Sequence, residues 1–195
     1  MKKYGDEKEI TMLVEGEEAE RWNRERCIHV NSREYNFVRR KIIKAGFSLL
    51  LPIEFVVMPQ EAAQRKYLSA RRPALILTCP THTVDFSVKP TKIPLNNSDI
   101  MKKLREMQAI RKGLHPQDLI LEMKAVELEN VHVGYIQYVS YAIDGKVLNT
   151  NIIIPMNEHM TLCTFVCNYE DADKWLRVIK DVIYSIEIIK GDLTL

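Results

Sequence analysis

The sequence lacks most of the marks that chains with catalytic, membrane or nucleic-acid roles carry. No apolar run approaches the roughly 20 residues of a membrane-spanning helix, so insertion into a bilayer is not expected. Glycine is sparse, seven in 195 residues, and none builds a phosphate loop, a G-x-G-x-x-G turn or a G-x-S-x-G elbow. The five histidines, at 29, 82, 115, 132 and 159, show no pair at metal-ligand spacing. Charge bias is absent too. The chain has 28 basic and 26 acidic residues, a net of +2, with no long block of either sign. That gives no electrostatic footprint for nucleic acid or an anionic membrane surface. The opening MKKYGDEKEITMLVEGEE has no apolar segment of the secretory type, and a cytoplasmic protein is the expectation.

Cysteine is scarce, with four at positions 27, 79, 163 and 167. On one strand, Cys163 and Cys167 stand roughly 13 Å apart, too far for a disulfide. All four read as reduced thiols, with Cys163 and Cys167 as small packing residues.

What the chain does have is a strong β pattern in the stretch Val131 to Tyr169. Asp144-Gly145 is a two-residue turn signal between YIQYVSYAI and KVLNTNIII, both rich in aromatic and β-branched residues. That turn sets Tyr141 opposite Leu148, Val139 opposite Thr150, Gln137 opposite Ile152 and Tyr135 opposite Ile154, a largely apolar face. The other face pairs Ser140 with Asn149 and Tyr138 with Asn151, and turns apolar only at Ile136 and Ile153. Pro155 ends the second strand, and Met160 to Cys167 returns as a third. The following EDADKWLRVIKDVIYSIEII predicts a helix N-capped by Asn168. Its stripe of Ala172, Trp175, Leu176, Ile179, Val182, Ile183 and Ile186 is worth roughly 10–20 kcal/mol before chain entropy is charged.

Upstream, residues 1–34 read as a charged appendage, and 35–195 as a single α+β domain. Strands are predicted near 37–43 and 47–51 around Ala45-Gly46, with a helical turn at 61–65. PALILTC (73–79) and HTVDFSV (82–88) form a hairpin, the second strand half-buried. KPTKIPLNN (89–97) is a loop with two prolines. A helix from Ser98 to about Lys112 carries Ile100, Leu104, Met107 and either Ile110 or Arg111, with Gly113 past its end. LILEMKAVELE (119–129) is a strand with Ile120, Glu122 and Lys124 on one side. The fold class is α+β, a curved antiparallel sheet with helices packed on it.

Taken in order, FVRRKIIKAGFSLLLP, KYLSARRPALILT, VDFSV, a helix, YIQYVSYAIDG and a closing helix resemble the PsbP/Mog-type superfamily. The likeness covers roughly residues 37–190 and rests on S-L-x-L-P and W-L-x-V-I-x-D-V-I-x-S-I. It implies an uncharacterised bacterial member near the DcrB-like and effector-chaperone-like branch, with no catalytic residue and no cofactor. The lipobox cysteine of DcrB-like lipoproteins is missing, and no Ran-contacting motif can be matched.

Function is expected to be non-enzymatic. The reading is a protein-binding module, an adaptor or chaperone for a secretion or envelope system, with another protein as partner. The alternatives are a small-ligand binder or enzyme with a pocket between sheet and helix, and a structural part of a homo-oligomer. Tyr138, Ser140, Asn149 and Asn151 form either a recognition face or a merely solvated one. Arg71 and Arg72, near Lys66 and Tyr67, are further candidate partner contacts. Cys79 with His82 lacks a third group to orient the imidazole and is not read as a catalytic dyad. Arg39-Arg40-Lys41 reads as a charged strand edge.

Overall fold

The structure, a computed structural model, describes residues 27–30, 32–69, 72–142 and 145–189. Among these the elements run β1 (Cys27–Val30), β2 (Arg33–Ile42), β3 (Phe47–Pro52), β4 (Val56–Val57), α1 (Gln60–Lys66), β5 (Leu75–Thr78), β6 (Val84–Pro94), α2 (Ile100–Leu114), β7 (Leu119–Glu127), β8 (His132–Ala142), β9 (Gly145–Met156), β10 (His159–Asn168), α3 (Ala172–Tyr184) and β11 (Glu187–Ile188). A seven-stranded sheet has the order β4-β5-β6-β10-β9-β8-β7, and a four-stranded sheet the order β1-β2-β3-β11. Every pairing is antiparallel, giving the expected α+β fold. No helix among the described residues is long and apolar enough to cross a membrane.

Strand alternation gives the large sheet an inner and an outer face. The inner face presents Leu77, Phe86, Phe165, Ile152 and Tyr135 to α3 and to Phe47, Leu49 and Leu51 of the small sheet. The expected stripe of α3 is buried apart from Leu176, which packs on its margin, and Val178 joins it. Trp175, fully buried, stands edge-on to Tyr35 at 5.2 Å and lies 5.4 Å from Phe165 and 6.4 Å from Phe55. Aromatic pairs of this kind add about 0.5–1.5 kcal/mol beyond area burial.

The helix differs from expectation at both ends. Asn168 makes no side-chain cap, and a 3-10 turn over Tyr169–Asp171 leads in. At the other end α3 stops at Tyr184, because Ser185 closes it. The Ser185 hydroxyl donates to the Val182 carbonyl (2.7 Å) and accepts from the Leu50 amide (2.8 Å). Arg39 donates to the Ser185 carbonyl (3.0 Å) and pairs with Glu187 (2.7 Å), so the next residues join β3 as β11. Arg39 is therefore a tie across the small sheet. Arg40 is buried and donates to the Ile53 carbonyl at 2.8 Å. Neither is a solvated edge residue.

The outer face was expected to be open. It is covered at both ends instead. Ala63 of α1 packs with Met58 and Ile76, while Ile100 and Leu104 of α2 pack on Ile136, Tyr138 and Ile153. For the same reason Val84 to Val88 is buried on both sides rather than half-buried. Gly134 lets α2 sit this close. A Cβ there would come within 2.5 Å of Ile100 Cγ2, 3.0 Å of Leu104 Cδ1 and 3.1 Å of Ile153 Cγ1.

Local patterns misled in five further places. Gly145, at φ +146°, opens β9 opposite Ala142, so Tyr141 pairs with Lys146 and Tyr138 with Asn149. The whole hairpin is displaced by two residues, which preserves the faces because alternation has period two. Asp144 of the expected turn lies outside the described residues. β6 runs through Pro90 to Pro94, since β5 starts only opposite Val88 and the extension has β10 alone as neighbour. A register shift between Ile120 and Glu122 puts Ile120 on the face of Met123, not of Glu122. Gly113 lies inside α2, which closes at His115. Finally, β1 pairs with β2 and buries Val30 in the core, so the domain begins before Tyr35 and includes at least Cys27 onward. Residues 1–26 of the expected appendage lie outside the described residues.

Two glycine substitutions separate packing from propensity. Gly134→Ala is expected to lower the unfolding free energy by about 1–3 kcal/mol through overpacking. Gly113→Ala, whose Cβ would meet nothing within 4 Å, is expected to raise it by about 0.5–1 kcal/mol. Urea denaturation of both variants checks the pair.

Candidate functional site

Between α1 and α2 the outer face keeps a polar floor. Ladder partners share a face, so Asp85, Val166, Asn149 and Tyr138 form one row across four strands. Ser87, Thr164, Asn151 and Ile136 form the next. The floor satisfies itself laterally. Asn149 donates to Ser140 Oγ (2.8 Å) and to the Val147 carbonyl (3.2 Å), and Thr164 donates to Asn151 Oδ1 (3.1 Å). At the β5–β6 turn end this floor opens into a cleft of about 940 Å³, whose lining includes Lys66, Tyr67, His82, Lys146, Asn149 and Tyr169.

One wall of the cleft is an ionic network around Asp85, which has no exposed surface. Its Oδ2 accepts from Tyr67 Oη (2.7 Å) and Lys66 Nζ (2.8 Å), and its Oδ1 accepts from Thr78 Oγ1 (2.7 Å). A buried carboxylate is tolerated on these terms, with an opposite charge and its oxygens hydrogen-bonded. Lys66 Nζ also donates to the His82 carbonyl (2.7 Å), tying α1 to the turn. Burial pushes the Tyr67 phenol well up, and the Asp85 charge adds to it.

Thr78 fixes the histidine. Its single hydroxyl proton goes to Asp85, leaving a lone pair for the ring nitrogen 3.3 Å away, His82 Nδ1. His82 Nδ1 is therefore the protonated nitrogen of the neutral ring, and Nε2 carries the lone pair. The exposed His82 has φ +56°, in the left-handed region, so it belongs to the turn and not to the strand expected from residue 82.

Cys79 and His82 are not engaged with each other. Cys79 Sγ lies 3.1 Å from Thr81 Oγ1 and 3.5 Å from Thr83 Oγ1, on a residue with no exposed surface. Burial pushes its thiol up, and these hydroxyls with neighbouring amides outweigh that, for a net lowering. Among the described residues no three His, Cys, Asp or Glu side chains are grouped to hold a metal ion.

The sequence-derived contacts fare unequally. Asn149 lines the cleft, and Ser140 and Asn151 sit half-buried on the floor. Tyr138 is not on an open surface. It is buried, with the Arg111 guanidinium 3.7 Å from its ring centre and Arg111 held by Asp118. Arg111 occupies the α2 position where Ile110 was the first choice, and Ile110 faces outward. Arg72 is half-buried and is not among the cleft residues, while Arg71 lies outside the described residues. Sequence reasoning missed Asp85 as the organising charge. The signal available was a lone carboxylate in the middle of the apolar VDFSV.

No family model matches the sequence, and no curated protein matches it. Among solved structures, cyanobacterial PsbP (CyanoP) of Synechocystis is similar at a TM-score of 0.53 and 11% identity, over 83% of this chain and 97% of that one. A Pseudomonas aeruginosa protein of unknown function gives a TM-score of 0.44 at 8% identity, over 76% of this chain and 94% of that one. LpqN, involved in cell envelope biogenesis of Mycobacterium tuberculosis, gives 0.43 at 9%, over 73% and 82%. The likeness to CyanoP identifies the fold as PsbP-like and extends to the fold alone.

Asp85→Ala strands the Lys66 ammonium and two hydroxyls. It is expected to cost about 2–4 kcal/mol in urea denaturation, toward the low end for a broken buried pair because Lys66 still reaches water. Long-range ¹⁵N–¹H spectra at neutral-ring pH should show His82 protonated at Nδ1. The Nε2-protonated form would contradict the Thr78 assignment.

Proposed function

We propose that this chain is a non-enzymatic protein-binding module whose recognition surface is the outer-face cleft. The observation that supports it is the contrast between faces. The inner face is dry, while the outer face keeps half-buried amides and hydroxyls open between two helices, with Tyr67, Tyr169 and Lys146 beside them. Tyrosines with amides suit pairing to the main chain and side chains of an extended protein segment. The finer placement rests on the sequence alone: a bacterial adaptor or chaperone near the DcrB-like and effector-chaperone-like branch, cytoplasmic, serving a secretion or envelope system.

A second reading, a small-ligand binder or enzyme, is favoured by one feature. His82 Nε2 has a free lone pair, and its other nitrogen is tied through Thr78 to a buried carboxylate. Among the described residues no hydroxyl or thiol is hydrogen-bonded to Nε2, which is why binding is preferred.

A photo-crosslinking residue at Lys146, compared with one at the exposed Arg177 of α3, tests the proposal in the native host. Position 146 should trap one discrete protein, position 177 should not, and Asn149→Arg should abolish the adduct. Equal trapping at both positions, or none at 146, would contradict it.

A further inference from the structure

We infer that the partner of the outer-face cleft enters it with an acidic segment, whose carboxylates meet the ammonium groups of Lys66 and Lys146. The inference rests on the protein-binding reading of the cleft and adds the chemistry of its occupant.

Lys66 presents a fixed charge. An ammonium has three N–H groups. One goes to Asp85 Oδ2 (2.8 Å) and one to the His82 carbonyl (2.7 Å), and among the described residues the third has no acceptor. Asp85 lies behind the lysine. It has no exposed surface, whereas the Lys66 side chain is 38% exposed. The pair is therefore a dipole with its positive end at the cleft. Because two bonds already hold the ammonium, a guest carboxylate that takes the third N–H costs Lys66 little side-chain freedom.

Lys146 is held by other means. Its ammonium lies 5.5 Å from the ring centre of Tyr141 and 5.6 Å from that of Tyr169. Aromatic faces orient a cation without neutralising it. Among the described residues Lys146 forms no ion pair. Against these two lysines the cleft lining holds a single acid, Glu170. The counter-charge is thus left for the occupant to bring. Two ammonium groups suit the carboxylates of one short segment. Nucleic acid would need a longer track of cations, since its affinity grows with the number of phosphates neutralised.

The probe is a short peptide of glutamate and serine, compared with its lysine counterpart in ¹H–¹⁵N spectra of the full chain. The glutamate peptide should shift the amides of residues 66, 83 and 146, and the lysine peptide should not. Lys146→Gln should weaken binding about threefold to tenfold, Lys146→Arg should restore it, and raised salt should act like the loss of charge. Glu170→Gln should tighten binding, and Arg177→Gln on α3 should leave it unchanged. Equal shifts with both peptides, or none with either, would overturn the inference. So would Lys146→Arg as weak as Lys146→Gln, or tighter binding of a single-stranded oligonucleotide of equal charge. The crosslinking test is separate, because a crosslinker at 146 leaves Lys66 in place and Asn149→Arg blocks the floor by bulk. A protein trapped at 146 with no preference between the peptides would defeat the acidic assignment and leave the cleft reading standing. No protein trapped would defeat both.

Discussion

The contact on which the structure depends is that of α3 with the inner face of the large sheet. Trp175 fills the centre of that contact, among Tyr35, Phe55 and Phe165 from three other segments. In the same core Cys163 and Cys167 serve as small packing groups. Burial pushes the Cys167 thiol up to about 12, with the Asp171 charge adding to it. The small sheet joins the same core through Phe47, Leu49 and Leu51, and Ser185 and Arg39 fix where α3 must end. With one face dry and bound on all sides, functional surface is left to the outer face and the edges.

The outer face is organised by separation. α1 covers one end and α2 the other, leaving a strip of amides and hydroxyls that bond sideways to one another. Asp85 stabilises the α1 end by gathering Lys66, Tyr67 and Thr78, and through Thr78 it sets the face that His82 turns to the cleft. Arg111 closes the α2 end by lying on Tyr138. Each helix thus uses a cation to meet a polar floor that a purely apolar stripe would leave unsatisfied.

Much of this was legible in the sequence, because period-two and period-3.6 patterns are properties of the local chain. The α3 stripe, the order of strands and helices, and which β8 and β9 residues share a face all follow from alternation. Registry did not follow. Asp144-Gly145 suggested one hairpin pairing, while the three-strand ladder through Tyr135, Ile152 and Cys163 fits a pairing displaced by two. Long-range electrostatics were also hidden: nothing local says that Lys66 reaches Asp85, or decides which of Ile110 and Arg111 faces Tyr138. Pro90 and Pro94 read as a loop because the loss of one neighbouring strand, which makes them tolerable, is a tertiary fact.

The central claim is a sheet dry on one face and wet on a strip of the other, and adjacent positions on β9 test it most directly. Thr150 is fully buried on the inner face, and Asn151 is half-buried on the outer floor. Thr150→Cys and Asn151→Cys should be treated with a small thiol reagent under native conditions and read peptide by peptide. Cys at 151 should be modified readily and Cys at 150 only on unfolding. Equal rates at the two positions, or faster modification at 150, would contradict the two-faced sheet.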